Sequence, residues 1–93
     1  MKNNLLTDLR KKINEVDTLI IRMLAVRLAL GKIIGVQKKR LGKNILDLRR
    51  EKQLQEFHAK TSDQYKLNPQ FVKDVYKIIF RESKKTQNFI QYK

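Results

Sequence analysis

Apolar residues recur at three-and-four spacing from Leu6 to Leu41, and no proline interrupts them. Leu6, Leu9, Ile13, Val16, Ile20, Leu24, Ile34 and Leu41 fall on one face of a helix. The spacing predicts a single helix from about Leu5 to about Arg40. Gly42 is a natural C-terminal stop, and Lys38, Lys39 and Arg40 before it suit the negative end of the helix dipole. Gly31 and Gly35 lie inside, each weakening the helix by roughly 1 kcal/mol relative to Ala, and they permit close packing or a slight bend. A helix of about 36 residues is ~54 Å long at 1.5 Å per residue. A compact domain of this size has a radius of gyration near ~12 Å. Such a helix overhangs its own monomer, so its stripe needs another chain to cover it. A homodimer of interlocked helices is the simplest arrangement.

The rest of the chain continues the helical pattern, with β-branched residues at helical rather than alternating spacing. Asn44 to Leu46 reads as a short loop. A second helix is expected from about Asp47 to about Lys60, with Leu54 and Phe57 on its apolar side. Thr61 to Leu67 reads as a polar turn. Asn68 then serves as N-cap and Pro69 as the first residue of a third helix, which ends near Gln91. Phe71, Val75, Ile78, Ile79, Thr86, Phe89 and Ile90 mark its stripe. The expected fold is all-α: one domain over residues 1–93, three helices, and an intertwined homodimeric helical bundle.

Composition narrows the chemistry. The 93 residues contain no cysteine, which excludes a disulfide scaffold, a thiolate metal site and a thiol nucleophile. A single histidine, His58, provides neither a His-ligated metal centre nor a Ser-His-Asp triad. It shares a face with Asp47, Glu51 and Leu54 and reads as a surface or rim residue. No apolar run approaches the ~20 residues that span a bilayer. Asp8, Arg10, Lys11 and Lys12 arrive too early for a signal-peptide core. The expectation is a soluble, cytoplasmic protein. Hydrophobic residues at 41%, organised by period, argue against disorder. The net charge of +13 points to anionic partners or substrates: nucleic acid, acidic lipid or small polyanions.

Two cations stand where apolar residues belong. On a helical wheel at about 100° per residue with Arg10 at zero, the stripe centres near −80°. Arg27 falls near −100° and Lys38 near −80°, three turns apart on the same face. Unpaired buried cations are costly, so either the two side chains snorkel to solvent or something anionic meets them. Arg10 lies about 100° from Arg27 and serves a different surface. Asp47, Arg50 and Glu51 cluster at the start of the second helix, where acids suit the dipole and local ion pairs form. Ser83 and Gln87 sit one turn apart at the edge of the third stripe, which by itself is only an amphipathic boundary.

Taken together, these positions resemble the all-helical chorismate mutases, the three-helix type that forms an intertwined dimer. The matching text is Leu9-Arg10-Lys11-Lys12-Ile13, Val16-Asp17, Leu24 to Arg27, Ile34-Gly35 with Lys38, Ile45 to Glu51, and Ser83-Lys84-Lys85-Thr86-Gln87. No single element is specific; the polar positions across three helices, with no gap needed, are specific together. The resemblance implies conversion of chorismate to prephenate by an intramolecular Claisen rearrangement in phenylalanine and tyrosine biosynthesis, with no cofactor or metal. It implies that Arg27 binds one carboxylate and that Arg10, crossing from the partner subunit, binds the other. It implies that Lys38 contacts a carboxylate and the ether oxygen, that Gln87 donates to the same oxygen, and that Ser83 lies near a carboxylate. Asp47 and Glu51 would surround the ring hydroxyl, with Arg50 ordering that side. Two shared sites per homodimer follow, with neither nucleic acid nor membrane as partner.

The physical logic agrees. A pericyclic reaction needs no nucleophile, only a held near-attack geometry and stabilisation of the charge that grows on the ether oxygen. Paired arginines suit bidentate carboxylate binding, and Lys38 with Gln87 suits the oxyanion. Two alternatives remain: an isochorismate pyruvate-lyase on the same scaffold, and a basic helical module binding nucleic acid. The second has the charge in its favour, but the cations are spread over all three helices.

Overall fold

The computed structural model describes the backbone of residues 2–44 and 46–92 and the side chains of 4–44 and 46–87. Ile45, one of the residues carrying the resemblance, lies outside the described residues, as do the side chains of Phe89 and Ile90. Three helices follow one another: α1 (Lys2–Arg40), α2 (Leu48–Gln64) and α3 (Pro69–Tyr92). The described residues contain no strand. The chain forms two compact units, Met1–Leu30 and Gly31–Lys93.

The first unit is helical throughout its described length, and its large apolar side chains from Leu5 to Leu30 are exposed except for half-buried Leu28. In water an isolated helix is marginal, because helices in proteins derive most of their stability from a covered apolar face.

In the second unit α1 closes with a Schellman motif. Gly42 takes φ 67°, the Lys43 N–H donates to the Lys38 carbonyl at 2.8 Å, and the Gly42 N–H donates to that of Lys39 at 3.2 Å. The expected stop at Gly42 is where the helix ends.

The second helix differs from expectation at both ends. Asp47 is the N-cap rather than a helical residue, with φ −130° and its Oδ1 accepting the Arg50 N–H at 3.0 Å. At the other end, Thr61 to Gln64 are helical, not a turn. Their hydroxyls are satisfied inside the helix: Thr61 Oγ1 donates to the Phe57 carbonyl at 2.8 Å and Ser62 Oγ to the His58 carbonyl at 2.6 Å. A polar composition therefore did not mark a loop. The chain turns at Tyr65–Lys66, where a second Schellman motif forms. Lys66 takes φ 56°, its N–H donates to Asp63 O at 3.2 Å, and the Leu67 N–H donates to Ser62 O at 2.9 Å.

Asn68 caps α3 as the sequence requires. Its Oδ1 accepts the Gln70 N–H at 2.9 Å, and its carbonyl accepts the Val72 N–H at 3.2 Å. Helices α2 and α3 pack through aromatic rings. His58 stacks on Tyr76 with centroids 3.7 Å apart and planes 24° apart, and Phe80 stands 6.0 Å from the same imidazole. His58 is half-buried between the helices and not simply a surface residue.

Burial runs opposite to a finished core. Among the described residues no large apolar side chain is fully buried. The buried positions are Gly31, Gly35, Ser62, Ser83 and Gln87. Phe71 and Ile78 of the third stripe are 58% and 64% exposed, while Ile79 and Thr86 are half-buried.

Candidate active site

The second unit assembles a polar locus from small residues upward. A methyl group at Gly31 would stand 2.9 Å from Ser83 Oγ, and one at Gly35 would stand 3.0 Å from Gln87 Cγ. The two glycines, one turn apart on α1, thus provide the bare surface on which α3 seats Ser83 and Gln87. Both polar side chains are 9% exposed, and Gln87 Nε2 donates to Ser83 Oγ at 3.5 Å. Lys38 follows Gly35 by three residues, so it projects from the same side of α1 within about 60°. It is half-buried. A cation from α1 and an amide from α3 therefore belong to one helix-packing face.

The N-terminus of α2 adds a second group. Asp47 caps the helix and Glu51 lies in its first turn, where partial positive charge favours carboxylates. Arg50 is exposed. Glu51 Oε1 lies 2.8 Å from Lys84 Nζ on α3. That ion pair joins the start of α2 to the residue next to Ser83, and sequence reasoning missed it. Contacts between helices leave no periodic signal along either one, so only the packed structure reveals Lys84 as a partner. The glycine seat was foreseen only as close packing, without its occupants.

Arg10 and Arg27 belong to the first unit. Arg10 is exposed and Arg27 half-buried, each on the helical register the wheel assigns. An open groove of about 240 Å³ between α2 and α3 is lined by His58, Pro69, Lys73, Tyr76, Lys77 and Phe80, among others. None of the eight candidate residues lines it.

The family model described as chorismate mutase type II matches residues 9–88. The chain belongs to that family. Its activity is the isomerisation of chorismate to prephenate. No curated protein matches the chain. For a chorismate mutase the arrangement makes chemical sense. The substrate is a dianion whose reaction needs donors rather than a nucleophile, and the buried polar side chains here include donors. No helix among the described residues is long and apolar enough to cross a membrane.

Proposed function

We propose that chorismate rearranges against the face that carries Lys38, Ser83 and Gln87, with Asp47, Arg50 and Glu51 at its edge. The observation that carries the reading is the glycine seat. Gly31 and Gly35 let α3 bring two buried polar side chains to the side of α1 from which Lys38 projects. In the rearrangement the ether C–O bond breaks as a C–C bond forms, and negative charge accumulates on the ether oxygen. Lys38 Nζ and Gln87 Nε2 are the donors for that oxygen. Gln87 Nε2 is already held by its bond to Ser83 Oγ, and a donor held before the reaction needs little reorganisation at the transition state. Arg27 for one carboxylate, and Arg10 of a second copy for the other, follow from the resemblance alone. A guanidinium matches a carboxylate bidentately and stays charged throughout the working pH range.

The same proposal includes a homodimer with shared sites, working in the cytoplasm. The exposed stripe along α1 and the exposed Phe71, Val75 and Ile78 on α3 support it, because a second copy would cover them.

The test is chorismate consumption by the purified chain, followed by ultraviolet absorbance with the product identified chromatographically. Prephenate as sole product is expected. Lys38→Ala and Arg27→Ala should each cost about a hundredfold or more in kcat/KM, the scale of a lost oxyanion donor, while the dimer persists. Normal turnover in either variant would overturn the site assignment.

A further inference from the structure

The ion pair between Glu51 and Lys84 sits at an informative place. Glu51 Oε1 and Lys84 Nζ are 2.8 Å apart, with side chains 28% and 44% exposed respectively. The pair crosses from the first turn of α2 to α3, one residue after buried Ser83 and three before buried Gln87. A glutamate side chain has three rotatable bonds and in isolation samples many positions. A cation fixed on a neighbouring helix selects one of them. A carboxylate is an acceptor with about four lone-pair sites, so engaging one oxygen leaves the other able to accept a hydroxyl proton.

We propose that Lys84 is a positioning residue for the mutase reaction: it holds Glu51 aimed so that its other oxygen accepts the hydrogen bond of the substrate's ring hydroxyl. This rests on the assignment of Glu51 to that hydroxyl. Lys84 acts through Glu51 and touches no reacting atom. Partly exposed bridges contribute little to folding, so removing the lysine changes the orientation of Glu51 more than the stability of the chain.

The test compares Lys84→Met, Lys84→Arg and Glu51→Gln in the full chain, with chorismate and with an analogue lacking the ring hydroxyl. Lys84→Met should raise KM for chorismate about tenfold, the scale of one hydrogen bond to a charged group, with kcat within about twofold. Lys84→Arg should restore KM to within about threefold, because it keeps the cation. On the analogue, Lys84→Met and the unaltered chain should react alike, since there is no hydroxyl to orient. An equal loss on both substrates would reveal a merely structural role and overturn the proposal. Unchanged chorismate kinetics in Lys84→Met, beside an impaired Glu51→Gln, would also overturn it while leaving the site intact. Wild-type kinetics in Glu51→Gln would instead remove Glu51 from the site and the proposal with it.

Discussion

At the scale of the residue, the choice of glutamine at position 87 has a consequence for pH. An amide donates a hydrogen bond at every working pH, so Gln87 imposes no titration on the rate. A glutamic acid in its place donates only when protonated, and its anion would repel the charge growing on the ether oxygen. The sign is therefore fixed: activity is present below the pKa of the new carboxyl group and lost above it. We expect Gln87→Glu to turn a flat profile of kcat/KM into one that falls about tenfold per pH unit above that pKa. A Gln87→Glu profile that stays flat between pH 5 and 8 would separate Gln87 from the reacting oxygen. Position 87 also illustrates what a sequence conceals. Ser83 and Gln87 read as an amphipathic edge until Gly31 and Gly35 are seen to face them, with distances of 2.9 and 3.0 Å from a notional methyl.

At the scale of the element, capping decides where each helix ends. Gly42 and Asn68 carry their signals in residue type, and both boundaries are legible in the sequence. The end of α2 is not, because a lysine occupies the left-handed position that glycine usually fills. Lys66 has φ 56° and closes the same hydrogen-bonded motif that Gly42 closes on α1. An L-residue with a side chain is strained there by about 1 kcal/mol, a cost that glycine does not incur. Lys66→Gly should therefore stabilise the chain by up to about 1 kcal/mol, read as a higher urea midpoint with an unchanged slope. A lowered midpoint would show that the lysine side chain makes contacts worth more than the strain. Thr61 and Ser62 teach the related lesson that hydroxyls bonded to carbonyls one turn back continue a helix rather than end it.

At the scale of the whole molecule, small and polar residues are buried among the described residues while leucines, isoleucines and phenylalanines are exposed, which suits the proposed dimer. The proposed sharing of sites between two copies makes a quantitative forecast. Arg10→Ala and Arg27→Ala chains should each be nearly inactive. Refolded together in equal amounts, half the dimers are mixed, and each mixed dimer has one site with both arginines intact. Activity should return to about a quarter of the unaltered level, as expected for two-fold symmetric pairing. No return, with subunit exchange demonstrated by mass, would exclude a site built from two copies.

The sequence by itself determined the helix count, two of the caps, the all-α class and the family. These depend on apolar period, local turn chemistry and residue type at fixed spacing, all written along one chain. The same reading placed Lys38 on the apolar side of α1 and named Ser83 and Gln87 through the resemblance. Only the tertiary structure decided that two glycines of α1 seat those side chains, that α2 runs on to Gln64, and that Glu51 pairs with Lys84. The physical reason is that approach distances and ion pairs between helices depend on how faces dock. Docking is a property of pairs of elements, and no periodicity within one element encodes it.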